Sequence, residues 1–468
     1  MSKRTGVFLI LAAGKGTRMK SPLAKVLHPL CGRPMLCHLL DQTMSFRDMR
    51  TVCVIGHDAE GVRAVLPAAV GSVIQSPQRG TGDAVRVARR AFAGARVLVV
   101  APGDAPMVSA GTFRRLLEHH RRKKALATVL TAEPEEPAAY GRVICNPDGT
   151  VQRIVEAVDA DPETLKVRRI NTGIYAFDPR ALLAVIGRIG KANRKGEFYL
   201  TDAIELLSAR GCVASLNTDD PDEVTGINSL AELARLEGAI QKHLRGRLME
   251  NGVQIPHPQS VYLEPSVRVD AGARLLPGSH LAGRTVVEAG AVIGPDAFVV
   301  DSRIGPRSRI WYSVVEGSVL GENVVVGPFA HLRPKTRLAP GARVGNFVET
   351  KAARIESGAK AMHLSYVGDV TIGAGANIGA GTITCNYDGF HKYPTRIGPG
   401  AFIGSNASLV APVTVGAGAV VGAGSVITKN VPADSLALTR APQTVKPGWA
   451  KRRRERMSQE LGRRKKGG

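Results

Sequence analysis

Large aliphatic side chains return every six residues between Leu263 and Ile427. They fall at Leu263, Val269, Leu275, Leu281, Val287 and Ile293, then at Leu320, Val326, Leu332, Leu338 and Val344. The count resumes at Ile372 and Ile378, and again at Ile397, Ile403, Leu409, Val415, Val421 and Ile427. Gly, acidic and small residues follow each one, as in IGAGAN, IGPGAF and VGAGAV. A period of six fits neither a helical face nor an alternating strand; it is the mark of a solenoid, here a parallel β-helix. Each hexapeptide makes one short strand and a tight corner, and three close a coil. Stacked coils then bury an aliphatic column that no single coil could form. Each buried Ile, Leu or Val contributes about 1.5–3 kcal/mol, so such a prism is stiff even with few aromatic rings.

The first half of the chain has a different rhythm. Gly6–Ala13 is a short apolar run rich in strand formers, ending in Gly14-Lys15-Gly16-Thr17-Arg18-Met19. Further strand-like runs cover Thr51–Gly56 and Arg96–Ala101, separated by helix-like segments such as Ala84–Ala93 and Thr112–Lys124. Alternating strands and helices predict a mostly parallel α/β sheet with ligands at the strand carboxyl ends. The Gly-rich loop suits phosphate binding through backbone amides, but it has neither the dinucleotide nor the Walker spacing. From Ser229 to Glu250 the pattern becomes helical, with Leu230, Leu233, Leu236 and Ile240 on one face. Ser229 is placed to cap this helix, with Glu232 as its capping-box partner. The resulting division is an α/β domain at 1–228, a linker helix at 229–250, a β-helix at 251–439 and a basic tail at 440–468.

Composition adds limits. The 468 residues carry a net charge of +23, and 44% are hydrophobic. No apolar run approaches a membrane span, and the amino terminus has no small-residue cleavage site. Six cysteines at 31, 37, 53, 145, 212 and 385 show no close-paired metal spacing, and predict free thiols in a cytoplasmic protein. From Arg440 onward eleven Lys or Arg face two Glu; such a block predicts a disordered, solvated tail. No folded nucleic-acid reader accompanies it.

Three later pieces give the Gly-rich loop a context. Lys25 lies in LAKVLH, residues 75–84 read QSPQRGTGDA, and VLVVAPGDAP sets Asp104 at a strand end. With Gly141 in YGRV, Glu156 in IVEA, Asn171 in NTGIY and Asn228 in GINS, the first half resembles the nucleotide-sugar pyrophosphorylases. Followed by hexapeptides, the order resembles the bifunctional bacterial enzymes that make UDP-N-acetylglucosamine. Those enzymes join N-acetylglucosamine-1-phosphate uridylyltransferase to glucosamine-1-phosphate acetyltransferase. The resemblance implies that Leu11, Ala12, Ala13 and Gly14 contact the uridine nucleotide, that Gln75, Gly80 and Thr81 hold uracil, and that Arg18 and Lys25 offset phosphate charge. It implies Mg²⁺ on Asp104 and Asn228, and the sugar on Gly141, Glu156 and Asn171. Ala24, Asp83 and Pro102 depart from the family's usual Pro, His and Tyr.

In the second half the breaks in the count are informative, because insertions into a solenoid usually mark binding loops. The largest is CNYDGFHKYPTR, from Cys385 to Arg396. The resemblance implies that Arg333, Lys351, Tyr366 and Asn377 bind glucosamine-1-phosphate, and that Ala380, Asn386, Tyr387, Ser405, Ala423 and Arg440 contact acetyl-CoA. It makes His363 the base that takes a proton from the amine, a task suited to imidazole near neutral pH. Glu349 is a candidate to orient that ring, and a backbone amide of the GAGT turn to stabilise the oxyanion. Cys385 is not needed as an acyl carrier, since the amine attacks directly. A homotrimer and a left-handed winding also come from the resemblance, the latter against the usual crossover preference.

Overall fold

The computed structural model describes residues 5–137 and 139–464. The chain forms two compact units, Met1–Gln241 and Lys242–Gly468.

The first unit is built on a mixed sheet whose central strands are apolar along their whole length. Its strands are β1 (Gly6–Ala12), β2 (Met49–Ile55), β3 (Gly71–Ile74), β4 (Val97–Pro102), β5 (Ala127–Ala132), β6 (Ile170–Phe177) and β7 (Val213–Asn217), in the order β7-β5-β6-β4-β1-β2-β3. Along this path all pairings are parallel except those of β6, which runs antiparallel to β4 and β5; an antiparallel pair, Arg142–Cys145 with Val151–Val155, branches from β6. Continuous burial of Val7–Ile10 and Leu98–Ala101 reflects cover on both faces. The predicted helix Ala84–Ala93 is two shorter ones, Thr81–Val87 and Arg89–Phe92.

The helix Leu230–Glu250 follows its predicted cap, with one change. Ser229 Oγ accepts from the Glu232 amide at 3.2 Å, but Glu232 Oε2 returns to the amide of Asn228 at 2.7 Å. Leu233 is buried with Met19, Leu30, Met35 and Ile227. Leu230 is exposed rather than part of that face.

The second unit is a left-handed parallel β-helix. One face is a nine-stranded parallel sheet from Arg268–Val269 to Val413–Val415. The other two faces join where Arg343–Lys351 and Lys360–Gly368 run on through a corner, at Phe347 and Leu364. Inward positions stack in register, for example Leu338 on Ile355 on Ile372 on Ile397 on Val415. Small residues fill the corners, and their hydroxyls are satisfied by backbone: Ser279 Oγ donates to the Leu276 carbonyl at 2.7 Å and Thr285 Oγ1 to Ala282 at 2.6 Å.

Two breaks in the sixfold count are therefore not binding loops. Between Ile293 and Leu320 the inward places are taken by Val299, Ile304, Ile310 and Val315, all fully buried. Between Val344 and Ile372 they are taken by Thr350, Ile355, Ala361 and Val367. Some turns are one residue shorter, so the column continues while the count slips. Only Cys385–Arg396 leaves the prism as a true excursion among the described coils, between the strands Ile383–Cys385 and Thr395–Ile397.

The basic segment differs from its expectation. It is helical from Trp449 to Arg464, and its described side chains are exposed. No helix among the described residues is long and apolar enough to cross a membrane, and the six cysteines are free.

Because Ile403 sits between Ile378 and Val421 with no exposed surface, Ile403→Ala should destabilise the β-helix by about 2–5 kcal/mol. Denaturant unfolding followed by circular dichroism would read this loss.

Candidate active sites

At the carboxyl ends of β1 and β4, a cavity of about 310 Å³ is lined by Leu11, Ala12, Gly14, Arg18, Lys25, Asp104 and Asn228, among others. The ends are locked together, since the Gly103 amide donates to the Leu11 carbonyl at 2.9 Å and the Ile227 amide to Asp104 at 2.9 Å. The Lys25 ammonium makes an ion pair with Asp104 and donates to Asn228 Oδ1 at 2.7 Å. Arg18 donates to the same Asn228 oxygen at 2.6 Å. A carboxylate oxygen and an amide oxygen thus meet at one cation position. Both are hard donors, and such a pair fits Mg²⁺, which is bound by one or two carboxylates plus substrate phosphates. Lys195 also lines this cavity; sequence reasoning missed it, although the KANRKGEF stretch offered two lysines and an arginine beside a glycine.

The remaining first-half residues form two neighbouring groups. Gln75 is buried beyond β3 with its amide donating to the Ile55 carbonyl at 2.8 Å. Gly80 (φ 109) opens the helix Thr81–Val87, and a Cβ there would meet the Phe198 carbonyl at 2.5 Å. Thr81 Oγ1 accepts from the Leu200 amide at 3.0 Å, and the Ala13 carbonyl accepts from His57 at 3.1 Å. Gly141, Glu156 and Asn171 are brought together: the Asn171 amide donates to the Gly141 carbonyl at 2.8 Å, and Glu156 Oε2 lies 3.5 Å from where a Gly141 Cβ would be. Burial raises the Glu156 carboxyl above its ordinary value, opposed by the hydrogen bond from Thr201.

In the β-helix, register decides the second site. Gly381 donates its amide to the Leu364 carbonyl at 2.8 Å, Asn406 to Ala380 at 2.7 Å and Gly424 to Ser405 at 2.8 Å. With Asn346 paired to His363, the residues before successive corners form one ridge: Asn346, His363, Ala380, Ser405, Ala423. Adjacent rungs are about 4.8 Å apart. Arg440 is exposed, just past Thr439, whose hydroxyl accepts from the Val426 amide at 2.6 Å.

Around the corner lies a charged group. Arg333 donates to Glu349 Oε1 at 2.8 Å, and Glu349 pairs in register with Tyr366. Its bond to Glu349 raises the Arg333 guanidinium above its ordinary value, while Lys392 beside Lys351 lowers that ammonium. Glu349 Oε1 is thus engaged by Arg333 in this chain. Lys392, missed from the sequence, arrives on the Cys385–Arg396 excursion. That loop is tied down by Asp388 Oδ1, which accepts from the Phe390 and His391 amides at 2.7 and 2.6 Å, and by the Asn386 side chain on Asp369. Asn377 pairs with Lys360 and Phe402 on the ridge's own face. His363 precedes the corner at Leu364 (φ 43) and Tyr366 follows it.

Folding a raised carboxyl favours its protonated form, so its stabilising effect is greatest below the unfolded value and is lost as pH rises through the folded one. Glu156→Gln escapes that loss. Its melting temperature relative to the parent should be more favourable at pH 8 than at pH 4; an equal difference at both would contradict the burial of this charge.

Residues 8–169 match the family of MobA-like NTP transferase domains, and residues 394–429 the bacterial transferase hexapeptide family with six repeats. Over nearly its whole length the chain is similar to curated proteins called bifunctional protein GlmU. The one from Heliobacterium modesticaldum is 46% identical, covering 97% of this chain and 99% of the relative. That from Pelotomaculum thermopropionicum is 47% identical over 96% and 98%, and that from Geobacillus thermodenitrificans 43% over 97% and 99%. With both units matched end to end, the chain belongs to the family of bifunctional GlmU proteins.

Proposed function

We propose how the side chains above divide the two activities of this bifunctional enzyme. It acetylates glucosamine-1-phosphate with acetyl-CoA, then transfers UMP from UTP to N-acetylglucosamine-1-phosphate, giving UDP-N-acetylglucosamine and pyrophosphate. Likeness to the relatives across both units is the observation that carries this pairing of activities.

Acetyl transfer is assigned to the ridge and the charged group beside it. Arg333, Lys351 and Lys392 offer cationic charge to the sugar phosphate, and Tyr366 and Asn377 hold the sugar. His363 takes a proton from the sugar's neutral amine as its nitrogen attacks the thioester carbonyl; the tetrahedral intermediate then collapses, and that proton passes to the departing sulfur, so CoA leaves as the thiol. Ala380, Ser405 and Ala423 lie in line below His363, which supports an extended pantetheine lying along the ridge, with Asn386 and Tyr387 on the excursion and Arg440 at the far end. Small side chains at those rungs leave room for it.

Uridylyl transfer is assigned to the cavity of the first unit. Gln75, Gly80 and Thr81 hold the base, Leu11 to Gly14 line the nucleotide, and Gly141, Glu156 and Asn171 hold the acetylated sugar. Its phosphate oxygen attacks the α-phosphorus of UTP in line, and the bond to pyrophosphate breaks. Arg18 and Lys25 stabilise the charge that develops on the phosphate oxygens. Asp104 and Asn228 would hold Mg²⁺, which supplies further compensation of phosphate charge when bound.

A homotrimer is part of the same reading. Tyr312, Phe329, Phe347 and Leu364 occupy successive left-handed corners beside the ridge, the last two 61% and 63% exposed, with the Phe329 and Phe347 rings stacked at 5.4 Å. An exposed apolar strip of this kind marks an interaction surface, and subunit contact there would bring neighbouring side chains to His363. The substrates and the free cysteines suit the cytoplasm.

The test separates CoA release from pyrophosphate release. His363→Ala should lower acetyl transfer by about 10²–10⁴-fold and spare uridylyl transfer. Asp104→Ala should do the reverse. If either substitution removed both activities from a folded protein, the assignment to separate sites would be wrong.

A further inference from the structure

Gln75 and Asp83 form a buried pair, 2% and 1% exposed. The Gln75 side-chain nitrogen donates to the Gly80 carbonyl at 3.0 Å and to Asp83 Oδ2 at 3.0 Å. Both of its hydrogens are therefore committed to acceptors. Turning the amide over would set its oxygen against a carbonyl and a carboxylate, so one orientation is enforced. What remains of the Gln75 head group is Oε1, which can only accept.

Asp83 is itself held firmly. Its Oδ1 accepts from Arg79 at 3.1 Å and Arg86 at 2.5 Å. Those guanidiniums lie 5.8 and 4.8 Å from the Phe198 ring centre, which fixes the fork from above. Burial works against this carboxylate, yet the bonds from Gln75, Arg86 and Arg79 keep its carboxyl below the ordinary value. It stays an acceptor at working pH and never presents a proton to Gln75.

We propose that Asp83 is a positioning residue for base selectivity: it draws the Gln75 nitrogen inward and leaves the carbonyl oxygen to meet the nucleobase. That oxygen favours a base with an imide N–H, such as uracil or its 5-methyl derivative, over cytosine, whose ring nitrogen at the same place is an acceptor. This rests on the reading that Gln75 holds the base. A site built to pair one donor rejects a partner that lacks it more strongly than shape alone would.

The experiment measures kcat/KM for UTP, 5-methyl-UTP and CTP by pyrophosphate release, with N-acetylglucosamine-1-phosphate as acceptor and the full chain as enzyme. The parent should use the first two far better than CTP. Asp83→Asn keeps the shape, but the two guanidiniums claim its oxygen and set its amide nitrogen against that of Gln75. The UTP-to-CTP ratio should then fall by about 10-fold or more, with a similar fall in Asp83→Leu. Arg86→Ala, which leaves Arg79 on the carboxylate, should lower the ratio by a smaller factor. An equal loss of rate with both nucleotides would mean a merely structural role and overturn the proposal. So would an unchanged ratio in the Asp83 variants while Gln75→Ala lowers it. If Gln75→Ala also leaves the ratio unchanged, the placement of the base on Gln75 is what fails.

Discussion

Register between stacked coils is the constraint on which the second half of this molecule depends. Every coil must place its aliphatic side chains directly over those of the coil before, because a shift by one residue would turn them outward. Backbone hydrogen bonds such as Asn406 to Ala380 and Gly424 to Ser405 enforce that alignment rung by rung. Corner residues, which contribute little to the core, are thereby carried into straight columns. His363, Ala380, Ser405 and Ala423 owe their common line to Ala361, Ile378, Ile403 and Val421 two places earlier, all of them buried. The ridge stands on a scaffold whose precision comes from aliphatic packing.

The first unit reaches similar order by other means. Its cavity sits where two parallel strands end, and the groups that meet there come from far apart in the chain: Arg18, Lys25, Asp104 and Asn228. Asn228 is held by its neighbours, since Glu232 accepts from its backbone amide within the cap of the helix Leu230–Glu250. A device that ends a helix also fixes an oxygen beside Arg18 and Lys25. Within the cavity Lys25 stands between two acceptor oxygens, one of them the carboxylate of Asp104.

The two sites use charge differently. Around Lys25 opposite charges face one another, since its ammonium is paired with the Asp104 carboxylate. Around Lys351 like charges gather, with Lys392 and Arg333 beside it and the Lys351 ammonium lowered as a consequence. Exposure makes this tolerable because water screens the repulsion, and an incoming phosphate would relieve it. Glu349 offsets one member of the group and leaves the others free for an anion.

Hexapeptide periodicity, alternating strands and helices, and the Lys25 and Asp104 stretches were legible in the chain, because each reports a local rule: one side chain in, a corner out, a strand and then a loop. The ridge through His363 was nearly legible, as a fixed period carries its own register. Other features were settled by contacts that no local pattern encodes. The breaks after Ile293 and Val344 looked like loops, yet shorter turns kept Val299, Ile304, Thr350 and Ile355 on the column. Glu349 meets Arg333 because stacking sets it on the neighbouring strand, in register with Tyr366. Lys392 and Lys195 reached their sites on excursions whose paths depend on what they pack against. Sequence determined the repeating units and the chemical groups available; tertiary structure decided which of those groups meet, because partners distant along the chain are chosen by packing and hydrogen bonding in space.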